Sequence, residues 1–343
     1  VAEPPALPGA LPRCTVHVGG ERPRQLSPDA VLVRQLVRHL PVESSDHSAA
    51  LYGLLVAQVP AVNALHVVVH NLERASQHAV LTRVARAAGA QRFPLVPLTF
   101  YSTAQAMMFT PEPPVVFKVA SAEAGFGKAK CDTAAAVADA RSLLALHDDY
   151  VTAERYVENR EYDVRVQAVG AHIRAYHRRG ASGNWKTNVG SSVLEEVDVD
   201  AYPQYREWVQ LVRGGYDDVC GGGLDIFTVD AIHVADGRDY IIEINGSPSG
   251  FAPANLDADM RHCAELVLER LAASRADVCA SVAAAAAAAV AAPAAAAAGG
   301  AAGGDDSNDD DDHATAAAGD DGHIEQMTTT TSSSKSKRRR KAK

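Results

Sequence analysis

Two apolar runs joined at Asp236-Gly237 constrain this chain more than any other stretch. IFTVDAIHV (226–234) and DYIIEIN (239–245) read as strands, and Asp-Gly is favoured in two-residue hairpin turns. Such a turn places Asp230 directly opposite Glu243, with Asn245 two residues on and on the same face. The surrounding Ile226, Val229, Ile232, Ile241, Ile242 and Ile244 make this sheet largely buried. Opposed carboxylates on a ladder repel by roughly 0.2–1 kcal/mol, and by more when buried. The pair therefore needs a cation or a basic partner between its members. Two carboxylates and an amide oxygen form a hard, oxygen-rich set that suits Mg²⁺ or Ca²⁺ and leaves positions for phosphate oxygens. The alternative is a carboxylate pair on a solvated sheet face, and one extra turn residue would break the register.

Charge narrows the field of functions. The 343 residues hold 33 basic and 42 acidic side chains, a formal net charge of −9. An acidic balance argues against a specific nucleic-acid binder, which needs a basic face for phosphates. Five scattered cysteines without a CxxC pair fit a reducing, cytoplasmic setting and offer no zinc site. Reading from Val1, no basic-then-apolar leader is found, so no secretory signal is expected. Thirteen histidines lie far apart with no HExxH, and the only approach to GxSxG contains Pro248. Zinc hydrolysis and serine nucleophilic chemistry are therefore not expected.

The expected architecture is α/β with α+β character, in four parts. Residues 1–27, rich in Pro, Gly and Arg, form an extended leader. Residues 28–112 form a first α/β domain with apolar runs at Val31, Leu51 and Ala64. A helix from Leu72 ends at Gly89, and PLVPLTFY closes the unit. Residues 113–276 form a second domain. It opens on VVFKVA, continues through a glycine-rich loop and a helix from Thr133 to about Leu146 capped by Asp132, and ends in a helix over 257–273. Its many strands lack crossover helices, so antiparallel hairpins are expected. Residues 277–343 are poly-alanine, an Asp cluster, a Thr/Ser run and a basic end, a low-complexity tail read as disordered or at best transiently helical. Its final KSKRRRKAK is a solvated charge run, with nuclear import or an anionic-lipid patch as alternatives.

Phosphate-binding chemistry needs cations and backbone donors near the acidic pair. Lys118 stands in an apolar strand, where a lysine is costly unless it meets a partner. Gly125-Phe126-Gly127-Lys128 offers backbone N–H groups and a second lysine, but has neither Walker A nor GxGxxG spacing. Arg165 alternates with Val164 and Val166 and so points away from their apolar face; Lys186 lies in the polar SGNWKTNVGSS loop.

The order strand lysine, glycine-rich flap, GluArgTyrVal hinge (154–157) and late paired carboxylates is similar to an ATP-grasp nucleotide site. GLLVAQVPAVNALH, VVFKVASAEAGFGKAK, AYHRRGASGNWKTNVGS and GGLDIFTVDAIHVADGRDYIIE resemble the synapsin family over about residues 29–270. The resemblance implies an α/β pre-ATP-grasp domain followed by an ATP-grasp domain that clasps ATP. By position it implies phosphate contacts from Lys118, Lys128 and the Gly125/Gly127 loop, and adenine contacts from Glu154 and the backbone near Val157. It further implies a ribose contact from Glu161, contacts to the triphosphate or substrate from Arg165, Lys186 and Asn188, and a metal on Asp230, Glu243 and Asn245. Calcium modulation, homo-oligomers, and association with synaptic vesicle membranes and actin are implied in the same way. IIEINGSP departs from vertebrate-type synapsins, which replace the Asn. It resembles the ending of ATP-grasp carboxylate–amine ligases, in which Arg165 and Lys186 would be catalytic and ADP would be released.

Overall fold

Val-, Ile- and Thr-rich runs become strands wherever turns bound them, and alanine-, leucine- and arginine-rich runs become helices. The computed structural model describes residues 2–3, 13–14, 16–18, 24–26, 28–38, 46–103, 106–107, 112–120, 122, 125–146, 149–181, 183–187 and 191–298. In the leader, β1 (Ala2–Glu3) pairs with β2 (Arg13–Cys14), and β3 (Val16–Val18) with β4 (Arg24–Leu26). The apolar runs at Leu51 and Ala64 form helices α1 (Ser48–Val56) and α2 (Leu65–His70). They pack together through Leu51, Val59, Leu65 and Val68. Helix α3 (Arg74–Ala88) ends where expected, at Gly89 with φ 84°.

Two antiparallel sheets follow. The first has the order β5 (Leu98–Tyr101), β8 (Val151–Arg155), β6 (Val115–Val119), β7 (Lys128–Cys131). It is covered by α4 (Ala134–Leu144). Thr133, not Asp132, caps α4, its hydroxyl accepting from the Ala136 N–H. The second sheet has the order β11 (Ser192–Val197), β10 (His172–Gly180), β9 (Arg160–Val169), β12 (Ile226–Val234), β13 (Asp239–Asn245). Its inner face packs on α3 and α5 (Pro203–Cys220) around Val164, Val166, Trp208, Val212 and Phe227. Residues 94–101 join the sheets. Val96 N–H donates to Ile241 O at 2.8 Å and Ile241 N–H to Pro94 O at 2.9 Å, and the same segment then becomes β5. The boundary expected at 112/113 thus crosses a shared sheet, because β5 from the first segment pairs with β8 from the second.

Helix α6 runs Leu256–Ala298, well past the expected end at 273. Alanine has the highest helix propensity, so this stretch needs no apolar stripe to be helical. The helix thus enters the segment expected as tail from 277; residues 299–343, with the Asp cluster and basic end, lie outside the described residues. By packing, Val1–Val290 form one unit and Ala291–Lys343 another, of which 291–298 are helical. Among the described residues no helix is long and apolar enough to cross a membrane, and Cys131, Cys220, Cys263 and Cys279 are free thiols.

One core histidine couples stability to pH. His177 on β10 is buried, stacked on Tyr162 of β9, and its Nε2 lies 3.1 Å from the Tyr205 hydroxyl of α5. Tyr202 also packs on it, and Glu195 faces it across the ladder from β11. Burial lowers its pKa, outweighing Glu195 and Asp239; Arg179 and His233 lower it further. A lowered folded-state pKa means the unfolded chain binds the proton more readily. Stability should be full above the unfolded value of about 6.5 and decline as pH falls through the folded one. Urea midpoints between pH 7.5 and 5 should fall in the parent and fall less in His177→Phe.

Candidate functional site

A part-buried carboxylate collects cations from three elements. Glu243 on β13 receives Arg74 Nη1 of α3 at 2.6 Å, Lys128 Nζ of β7 at 3.4 Å and Lys118 Nζ of β6 at 3.7 Å. Burial alone would raise its pKa, but Lys128, Arg74 and Lys118 together hold the carboxyl well below the usual range. Lys118 is 4% exposed and donates to both oxygens of Glu154 on β8, at 2.7 and 2.8 Å. Burial lowers the Lys118 pKa despite Glu154 and Glu243. Lys118 and Lys128 are direct partners across the β6–β7 ladder, a repulsive arrangement that the two glutamates offset.

Asp230 does face Glu243, through two compensating departures from the simple hairpin. Val234 N–H donates to Arg238 O, and Gly237 takes φ 84°, so the loop is the three residues 235–237. The extra residue shifts the ladder near the turn, where Ala231 pairs with Ile241. A bulge beside Asp230 shifts it back. On its other side Asp230 pairs with Arg165 of β9. Its Oδ2 accepts from Asn245 Nδ2 at 2.8 Å, while Oδ1 is buried with no hydrogen-bond partner. Burial raises the Asp230 pKa, against the attraction of Arg165.

Loops close the site from two sides. Arg165 donates to Ser249 Oγ, and Arg34 to Ser247 O while its guanidinium lies 3.9 Å over the Phe251 ring; both hold the 246–250 loop. The 183–187 loop docks on β9 through Arg160 Nη1 to Trp185 O at 2.6 Å and Thr187 Oγ1 to Asp163. From it Lys186 Nζ reaches the flap carbonyl of Gly125 at 2.7 Å. Gly127 has φ +65°, and a Cβ there would fall 2.5 Å from Val119 Cγ2, so the flap turn requires glycine.

The resulting cleft is narrow, with a cavity volume of ≈ 120 Å³, and opens to solvent. Lys118, Lys128, Glu154, Val157, Arg165, Lys186, Asp230 and Glu243 all line it. A second chamber, ≈ 300 Å³, shares Lys128, Arg165, Asp230 and Glu243 and extends along Asn245 to Gly250. Glu154 is engaged by Lys118, so its carboxylate is already committed. Glu161 is exposed and does not line the cleft; Asn188 lies outside the described residues. Arg74 and Arg178 are among the cations that escaped the sequence reading. Arg74 shares a helical face with His78 and Leu81, the spacing that could have revealed it. Arg178 lies opposite Asp163 on the β9–β10 ladder, and it lines both chambers.

The oxygen set fits a hard divalent cation: Asp230 Oδ1 lacks a partner, and Asn245 can turn its amide oxygen inward beside it. Glu243 already accepts from Arg74 on Oε2 and from Lys128 on Oε1, so an ion there would compete with cations for it.

Residues 63–273 match the family model described as the synapsin ATP binding domain. The chain belongs to the synapsin family. It is 29% identical to Synapsin of Drosophila melanogaster over 252 residues, 72% of this chain but 24% of that protein. It thus spans about a quarter of that relative's length. In structure it is similar to the VanG D-Ala:D-Ser ligase of Enterococcus faecalis, with TM-score 0.50 and 16% identity over 64% of this chain and 68% of that one. That likeness is one of fold alone.

The buried Lys118–Glu154 pair yields a stability test. Lys118→Met strands Glu154 and should cost about 3–5 kcal/mol by urea denaturation. Adding Glu154→Leu should restore most of that loss, because no charge then remains unpaired.

Proposed function

We propose that this chain binds ATP with a divalent cation in the cleft between the two sheets, and that nucleotide orders the Gly125–Lys128 flap. The observation that carries this reading is the local charge. The chain is −9 overall, yet Lys118, Lys128, Arg155, Arg160, Arg165, Arg178 and Lys186 line its cleft against Glu154, Asp163, Asp230 and Glu243, with Arg74 paired to Glu243. A polyphosphate supplies the missing negative charge. Val116, Val157, Ile232 and Ile242 give the apolar end for a base. Asp230 and Asn245 would hold Mg²⁺ or Ca²⁺, with Glu243 as the exchangeable third ligand. Such an ion would neutralise phosphate oxygens. Coupling of nucleotide to self-association, and to vesicle membranes and actin in the cytoplasm, extends this reading from the family resemblance.

A second reading is favoured by the second chamber, which opens at the phosphate end and is walled by the Asn245–Gly250 loop. In it the protein is a carboxylate–amine ligase. ATP phosphorylates a carboxylate, an amine displaces phosphate from the acyl phosphate, and ADP, phosphate and an amide result. Arg165 and Lys186 would stabilise the transferring phosphoryl group.

Calorimetry should show stoichiometric ATP binding that needs a divalent ion, weakened about tenfold or more by Asp230→Asn and by Lys128→Met. Absence of binding under all ion conditions would overturn the first reading. ADP release dependent on a carboxylate–amine pair and lost in Asn245→Ala would establish the second; release unchanged by that substitution would remove Asn245 from it.

A further inference from the structure

Outside the cleft, the fold assembles a cluster from histidines that lie far apart in the chain. His172 begins β10 at the β9–β10 turn, while His262 and Glu265 stand three residues apart on one face of α6. The two imidazoles stack with centroids 3.3 Å apart and planes at 17°. Glu265 Oε2 lies 3.0 Å from His262 Nδ1 and 4.0 Å from His172 Nε2. One potential ligand atom from each residue lies within 4.8 Å of the other two.

The backbone beneath this trio is tied down on both sides. Asp259, 1% exposed and a turn earlier on α6, accepts from Gln167 Nε2 at 2.7 Å and Arg174 Nε at 2.9 Å. Leu266, a turn after His262, lies against Gly170 in the β9–β10 turn, where a Cβ would fall 2.9 Å from its Cδ2. Turn and helix are thus held in register before any ligand arrives, so binding would not have to order them.

We propose that His172, His262 and Glu265 form a site for a borderline divalent transition ion, Zn²⁺ being the probe, which staples α6 to the β9–β10 turn. Two imidazole nitrogens and one carboxylate oxygen select such an ion over Mg²⁺ or Ca²⁺, which take all-oxygen shells. Zinc accepts three protein ligands at about 2.0–2.2 Å and leaves a fourth position for water. Each imidazole lone pair lies in its ring plane, so binding asks His172 to rotate out of the stack, and His172 and Glu265 are free to move at 52% and 60% side-chain exposure. The site is chemically distinct from the oxygen set at Asp230. Because α6 follows the 246–250 loop, the staple would fix the segment leaving the cleft.

The test is calorimetric titration of the full chain with ZnCl₂ after its thiols are alkylated, paired with thermal unfolding. One equivalent of zinc should bind and raise the melting temperature. His172→Ala and His262→Ala should each weaken that event by about tenfold or more and cancel the rise, while Glu265→Gln weakens it less. Excess Ca²⁺ should not compete. Zinc binding and a melting shift that persist unchanged in the His172→Ala/His262→Ala variant would overturn the proposal. Should that variant prove unstable without metal, Glu265→Gln supplies the same comparison, since it keeps both imidazoles. Unchanged affinity there would also overturn the site.

Discussion

The cleft depends on one part-buried carboxylate. Glu243 belongs to the five-stranded sheet, while the cations that meet it come from α3 and from two strands of the four-stranded sheet. Without it, Lys118 and Lys128 would face one another across a ladder with Arg74 beside them, a concentration of like charge that burial makes expensive. With it, the two sheets are drawn together over a volume that stays polar. Glu154 completes the compensation for Lys118 but not for the whole group: Arg74, Lys118 and Lys128 stand against Glu154 and Glu243. That one-charge surplus is fixed in place by the fold, so an anionic ligand meets a field already organised for it.

The connection through residues 94–101 explains how such a contact can be placed accurately. That segment hydrogen-bonds beside β13 at Ile241 and then becomes the edge strand of the other sheet. Glu243 lies two residues beyond Ile241, and β8, which β5 pairs with, carries Glu154. The shared backbone fixes the distance between the two glutamates that divide the cations. A domain boundary at 112/113 is invisible in this arrangement, because the earlier segment supplies the strand that joins the two sheets.

Much of this was legible in the chain, and what was hidden has a physical reason. The Asp230–Glu243 pairing follows from an apolar alternation around an Asp-Gly turn, and it survives although the turn holds an extra residue, because a bulge at Asp230 absorbs the shift. Register is that robust when one face is buried: a net slip would turn Val229 and Ile244, both 0–1% exposed, toward the cleft. The same alternation turns Arg165 away from the buried Val164 and Val166 and into the cleft lining. The runs at Leu51 and Ala64 were ambiguous, since a short apolar segment reads equally as a strand or a buried helix. Arg74 and Arg178 were missed because a charged residue on a half-apolar element looks solvated until the facing element is known. His172, His262 and Glu265 were invisible for a related reason, since only the packing of α6 against the β9–β10 turn brings them together.

The two opposed carboxylates end in opposite electrostatic situations, and that asymmetry divides their work. Three cations hold Glu243 ionised below the usual range, whereas burial pushes Asp230 up and leaves Oδ1 without a donor. Paired groups whose surroundings drive their pKa values apart commonly take separate roles. Here the saturated member braces the sheets and the unsaturated one faces Arg165 and the chamber shared by both cavities. A cation arriving at Asp230 would satisfy its orphan oxygen and remove the cost of its burial. The same cation at Glu243 would compete with the cations already paired there. Under the proposed reading, ligand binding would act on the link between the sheets through that competition: a phosphate contact to Lys128 would free Glu243 Oε1, which could then hold a divalent ion.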